Sequence, residues 1–300
     1  MSNRVTEFPR PDHMLVQISD SHLLPSGRGP LNGDVDEGAL LEAALRRVVE
    51  FGIAPEALIF TGDQADQGEE GSYQRLRALV DPVAEELGAK VIWTMGNHDD
   101  RRAFRHGLLG LEPTLEPWND VVMLGGLRVI VIDSTVPGRG WGQVTPTTLE
   151  WLQAILAIPA REGSILAIHH PPMPTVQDMA ATVELRDTES LAAVLRGSDV
   201  RSIIAGHVHY TTFATFAGIP VIAIASSAYT QDVFTPGRGT RGRDACQGLS
   251  YIHVFRDTIM HTAYPIVAGS TVGRFIDAAE TARILADEGY LIADPPPMGD

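Results

Sequence analysis

Seven short apolar runs punctuate the first three quarters of the chain, and each gives way to a polar cluster. They are MLVQISDSH from Met14, ALIFTGDQAD from Ala57, VIWTMGNHDD from Val91, LRVIVIDST from Leu127, SILAIHHPP from Ser164, RSIIAGHVH from Arg201 and PVIAIASSAY from Pro220. Runs this short, rich in Val and Ile and bounded by Gly, Pro, Asp or Ser, predict buried strands rather than helices. Between the early runs, DEGALLEAALRRVVEFG and GSYQRLRALVDPVAEELG space their apolar residues at helical period, with Gly52 and Gly88 as stops. Strand, helix, strand alternation predicts parallel pairing with helices packed outside, an α/β fold. Towards the end, LSYIHVF and TIMHTAYPI flank Arg256 and Asp257 and predict an antiparallel hairpin, assigned here to a second sheet. TVGRFIDAAETARILADEG predicts a closing helix stopped by Gly289, and PPPMGD a frayed tail. Residues 1–300 then form one domain with a helix and tail over about 266–300, since no repeat, low-complexity tract or linker divides them.

Composition narrows the class. With 300 residues and 44% hydrophobic content, a sizeable core is available. No run reaches the eighteen or more apolar residues of a membrane span, and MSNRVTEFPRPDH has prolines and acids where a signal peptide carries an apolar stretch. A cytoplasmic location follows as the expectation, and a lone Cys246, which allows no internal disulfide, agrees with it. The formal charge of -15 comes from 38 acids against 23 bases, of which only Lys90 is a lysine. The one arginine-rich run, RGTRGRD, reads as a glycine loop, so there is no basic face for a nucleic-acid polymer. An acidic chain attracts a small anion only where local positive charge exceeds the global negative charge, and bound metal ions supply such charge.

The polar clusters supply the residues for that. In open α/β sheets functional groups collect beyond the carboxyl ends of the strands. There the chain sets Asp20-x-His22, Gly62-Asp63, Gly96-Asn97-His98-Asp99, His169-His170 and Gly206-His207-x-His209. If the strand runs on through His207 and His209, both rings face the same side. Each cluster also has a bland explanation: Asp20 and Asp63 as strand-end turn formers, Asn97 as a left-handed turn residue, His98 as a solvated loop histidine, Asp66 as a helix N-cap. Jointly the bland reading weakens, because six of ten histidines fall in these blocks while His13, His106, His253 and His261 fall outside. The five blocks, in this order, resemble the calcineurin-like metallophosphoesterase superfamily. That resemblance implies two packed mixed β-sheets flanked by helices, a four-layer αββα sandwich.

It also implies a dinuclear centre of transition-metal ions (Fe, Mn, Zn or Co, with Fe and Mn leading), since mixed imidazole and carboxylate donors suit them. One ion takes Asp20, His22, Asp63 and His209, and the other Asp63, Asn97, His169 and His207. Two ions about 3.5–4 Å apart share a nucleophilic hydroxide and clamp phosphate oxygens. Within the resemblance, Asn97 and His98 contact the substrate phosphate, His98 protonates the leaving oxygen, and Asp66 orients His98. His170 has no ligand role in the pattern and is expected to support the ligands or face substrate. The Ser/Thr protein phosphatases carry an arginine where GDQADQG has Gln67, which argues against that branch. QISDSHL, FTGDQADQGE, MGNHDDR, AIHHPPMP, TVELRD, AGHVHY and GTRGRD together resemble the bacterial class III cyclic nucleotide phosphodiesterases. The implied activity is hydrolysis of 3',5'-cyclic nucleotides, cAMP to 5'-AMP leading, by a homodimer whose contacts involve PPMPTVQDMAATVELRD. Gln64 departs from the apolar residue usual after the bridging aspartate. The alternatives are a glycerophosphodiester, 2',3'-cyclic nucleotide or broad small-diester hydrolase, and a non-catalytic metal-bound scaffold.

Overall fold

A computed structural model describes residues 4–267 and 269–295. In chain order its main elements are β1 (His13–Ile18), α1 (Glu37–Glu50), β2 (Ala57–Thr61), α2 (Glu70–Leu87) and β3 (Lys90–Thr94). Then come β4 (Asp120–Leu124), β5 (Leu127–Val131), α3 (Pro146–Leu156), β6 (Ser164–Ala167), α4 (Thr188–Leu195) and β7 (Val200–Ala205). The chain closes with β8 (Thr212–Phe216), β9 (Ile219–Ala223), β10 (Gly248–Val254), β11 (Ile259–Pro265) and α5 (Ala278–Asp287).

The strands form two mixed sheets, ordered β11-β10-β1-β2-β3 and β8-β9-β7-β6-β5-β4. All seven apolar runs are strands. The hairpin of β10 and β11 forms as expected, but it does not start a second sheet. Its β10 pairs antiparallel with β1, Ile252 opposite Leu15, and so extends the first. The second sheet is instead built from the middle of the chain, where β9, β7, β6 and β5 run parallel and antiparallel β8 and β4 close the edges. α5 begins later than the apolar spacing suggested, because Asp277 caps it by accepting from the Glu280 N–H at 2.8 Å. The tail PPPMGD falls on 295–300, of which 296–300 lie outside the described residues.

Period-two alternation divides the apolar residues among three cores. Leu15, Ile59 and Ile92 of the first sheet face Val129, Ile165 and Ile204 of the second. On the outer face of the first, Val16, Leu58 and Phe60 pack with Leu41, Leu45 and Leu76 of α1 and α2. On the outer face of the second, Leu166, Ile203 and Val221 pack with Leu152 and Leu191 of α3 and α4. Burial on both faces explains why these strands read as continuous apolar runs. Among the described residues no helix is long and apolar enough to cross a membrane.

Candidate metal centre

Five parallel strands, three from one sheet and two from the other, deliver the polar clusters to one place: β1 ends at Ile18, β2 at Thr61, β3 at Thr94, β6 at Ala167 and β7 at Ala205. β7 stops before His207, so strand alternation does not align His207 with His209. Both take left-handed backbone, with φ of 71° and 57°, and so do Asp20 (54°), His22 (44°) and Asp63 (52°). That conformation costs roughly 1–2 kcal/mol for a residue with a Cβ, and hydrogen bonds between the loops hold it. The Asp20 N–H donates to the Gly62 carbonyl at 3.0 Å and the His22 N–H to the Asp63 carbonyl at 2.9 Å. The His207 N–H donates to the Asp20 carboxylate at 3.0 Å, and the His98 N–H to Asp63 Oδ1 at 2.8 Å. Three glycines let the loops touch. A Cβ on Gly62 would lie 2.2 Å from His169 Nδ1, one on Gly96 2.2 Å from Asp63 Oδ1, and one on Gly206 2.4 Å from Asp20 Oδ2.

Asp20, His22, Asp63 and His209 bring one donor atom each within 4.8 Å of one another, and all four are buried. His22 Nε2 lies 3.1 Å from His209 Nε2, which in turn lies 3.3 Å from Asp20 Oδ1. On the other side of Asp63, His169 Nε2 sits 3.3 Å from Asp63 Oδ2 and 3.1 Å from Asn97 Oδ1, with the His207 ring 5.0 Å from that of His169. All seven residues expected as ligands therefore meet around Asp63. The remaining ring nitrogen of each histidine points outward to an oxygen. His22 Nδ1 donates to Asp66 Oδ1 (3.1 Å), His169 Nδ1 to the Thr61 carbonyl (2.8 Å), His207 Nε2 to the Val183 carbonyl (2.9 Å) and His209 Nδ1 to the Tyr229 carbonyl (3.0 Å). Each acceptor takes one ring N–H, so the inner nitrogen is the one that a bound cation would meet in place of a proton. Imidazole, carboxylate and amide oxygen together fit transition-metal ions.

The electrostatics agree. Burial alone would raise Asp63, but His169, His98 and His22 hold it well below the usual carboxylate range. Burial opposes charge on His169, yet Asp63 and Asp20 push it up to about 9. The two carboxylates thus demand positive charge among them. His207 is pushed down to about 4, by burial first and then by His169, and stays neutral.

One placement, that of Asp66, differs from the expected role. The Asp66 carboxylate lies 3.9 Å from His98 Nδ1 and is bonded to His22 instead, while the Asp66 backbone carbonyl accepts from His98 Nδ1 at 2.7 Å. His98 is 42% exposed at the mouth. Of the two roles expected for His170, support of the ligands is the one its place fits, since it is fully buried. Its Nε2 donates to the Gly140 carbonyl at 3.1 Å, its Nδ1 meets Ser134 Oγ at 2.8 Å, and its ring packs 4.4 Å from that of His207. Buried Gln64 donates from Nε2 to the Thr94 carbonyl at 2.9 Å, while its Oε1 is buried without a partner among the described residues.

Sequence reasoning missed Asp99. Its carboxylate accepts from the N–H groups of Gly96 (2.9 Å), Ala65 (3.1 Å) and Gln64 (3.4 Å) and from the Tyr73 hydroxyl (3.0 Å), tying the two loops that carry Asp63 and Asn97. Burial, then Asp63, push it up to about 7. Its place in GNHDD, between the histidine and a helix cap, was the available signal.

Known proteins resemble this chain in sequence and fold. A calcineurin-like phosphoesterase family model matches residues 13–211. A probable cyclic nucleotide phosphodiesterase of Rhodococcus erythropolis is 51% identical over 299 residues, covering 100% of this chain and 99% of its own. A cAMP/cGMP dual specificity phosphodiesterase of Mycobacterium tuberculosis is 48% identical over 289 residues, covering 96% and 91%. In fold, the chain is similar to a dimetal phosphatase from Danio rerio, with a TM-score of 0.60 at 14% identity over 86% of this chain and 97% of that one. On the extent of the family match and the full-length likeness to these relatives, the chain belongs to the calcineurin-like phosphoesterase family.

Proposed function

We propose that the chain hydrolyses 3',5'-cyclic nucleotides, cAMP to 5'-AMP first among them, with two transition-metal ions, Fe or Mn leading. The observation that carries the chemistry is the outward anchoring of four ligand imidazoles around two carboxylates. The substrate class is supported by relatives at 51% and 48% identity whose names are those of cyclic nucleotide phosphodiesterases. Asp20, His22, Asp63 and His209 would hold one ion, and Asp63, Asn97, His169 and His207 the other. When bound, the ions neutralise phosphoryl charge and make hydroxide available from water at neutral pH.

The chain's own part is to position and to move a proton. Asn97, beside His169, and His98 face the phosphate. The Asp66 carbonyl fixes the proton of His98 on Nδ1, which leaves Nε2 to serve the substrate. Burial would lower the His98 imidazole, but Asp63 and Asp66 raise it above its ordinary value, so it is available as the acid near neutrality. As hydroxide bonds to phosphorus and the bond to the 3' oxygen breaks, His98 Nε2 gives its proton to that oxygen. The Asp66 carboxylate holds His22 rather than His98.

We further infer a homodimer in the cytoplasm. Exposed Val176 and Met179 in the segment after His170 support the former, and a single cysteine the latter. The test of the reaction is a comparison of initial rates, with Mn2+, on 3',5'-cAMP, 2',3'-cAMP, glycerophosphocholine and a phosphomonoester. Opening of 3',5'-cAMP to 5'-AMP with the highest kcat/KM is expected. A higher value for another diester would make the cyclic nucleotide a side substrate.

A further inference from the structure

Beside the centre lies a cavity of about 220 Å³ that the proposed hydrolysis leaves unassigned. His207 forms one wall, so the cavity adjoins the ligand cluster. Met173, Met179 and Val183 make its walls mostly apolar, and the Val183 carbonyl is the one that anchors His207. Most polar groups on the lining are spoken for. Thr175 Oγ1 meets the Tyr210 hydroxyl at 3.2 Å, Thr182 Oγ1 donates to the Met179 carbonyl at 2.8 Å, and Gln177 Nε2 donates to the Asp232 carbonyl at 3.2 Å.

Gln231 is different. Its backbone is fixed twice, by its N–H donating to the His209 carbonyl at 3.2 Å and by a short antiparallel ladder with Gly242. Its side-chain Oε1, however, is buried with no hydrogen-bond partner among the described residues. A buried unpaired acceptor is costly, and because Gln231 lines the cavity, a turn of its carboxamide would bring this oxygen to a donor carried by a ligand.

We propose that this cavity takes the purine base of the cyclic nucleotide and that the Gln231 carboxamide reads the edge of that base. The inference rests on the cyclic nucleotide reading above and deepens it. Apolar walls with two methionines suit a flat heterocycle. A glutamine side chain matches adenine through N6–H and N7. Turned into the cavity, Oε1 accepts from the adenine N6 amino group. Rotated by half a turn, the same carboxamide offers Nε2–H to guanine O6 and N7, so one residue admits both purines.

The experiment measures kcat/KM of the Mn2+-loaded enzyme for 3',5'-cAMP, 3',5'-cGMP and bis(p-nitrophenyl) phosphate, a diester without a base. Gln231→Glu supplies only an acceptor, so the cAMP to cGMP ratio should rise about tenfold, the worth of one hydrogen bond replaced by an unpaired group. Gln231→Leu should lower both cyclic nucleotides about tenfold relative to the baseless diester. A cAMP to cGMP ratio that stays within twofold in Gln231→Glu would overturn the proposal, as would equal loss on all three substrates in Gln231→Leu. If the wild type turns over the baseless diester but neither cyclic nucleotide, the cyclic nucleotide reading itself falls, and this inference with it.

Discussion

At the scale of single residues, two side chains near the mouth make separable contributions. His98 is half exposed, its ring bonded through Nδ1 among the described residues, and it lies outside the group of Asp20, His22, Asp63 and His209, though near His22 and Asp66. His98→Ala is therefore expected to lower kcat on 3',5'-cAMP by roughly 10²–10⁴, with added Mn2+ giving no recovery. Asp66 acts through its carboxylate on His22 and through its backbone on His98. Asp66→Ala keeps the carbonyl, so its main effect should be a metal affinity weaker by roughly 10–100-fold, and saturating Mn2+ should restore most of kcat. Metal titrations of the two variants decide it: an Asp66→Ala loss that Mn2+ does not repair would return the carboxylate to the proton-transfer step.

At the scale of elements, the strands were legible because burial on both faces leaves Val and Ile runs, as in Val129, Ile130 and Val131. Their partners were not. The ladder of β10 on β1 joins segments more than two hundred residues apart, and neither run carries a mark of the other. The edge strands β4 and β8 were missed because they are half exposed, and Thr212–Phe216 alternates too weakly to stand out from a loop. The hairpin's place has an energetic consequence. His261 on β11 reaches Ser202 on β7, with Nε2 3.0 Å from Oγ, so it joins the two sheets. Its Nδ1 is buried without a partner among the described residues, and burial pushes its pKa down to about 4. Between pH 4 and the ordinary value near 6.5 the unfolded chain binds the proton and the folded one does not, so stability falls as pH falls through this window. His261→Gln should flatten that part of the slope in urea melts at pH 4.5–7. An unchanged slope would show that the His261 proton does not couple to folding.

At the scale of the whole molecule, the site was the most legible part, because its residues come in short clusters at strand ends, in a fixed order. What joins them was hidden. The carbonyls of Thr61, Val183 and Tyr229 that orient the ligand histidines belong to residues of no distinctive chemistry. The cavity wall from Met173 to Leu185 has no periodicity from which to read a pocket. Spacing also gave the wrong reason for His207 and His209, whose rings are aimed by left-handed turns beyond the strand rather than by its pleat. Those turns set durability against chemistry. At Asp20, His22, Asp63, His207 and His209 the usual ranking of the two smallest residues inverts, because glycine is at home there and alanine is not. Chelated His209→Gly should thus withstand heat better than His209→Ala, by on the order of 1 kcal/mol; the opposite order in thermal melts would refute this. Glycine at these five positions would relax the backbone but remove the donor atoms, so the strain there is the cost of placing those side chains.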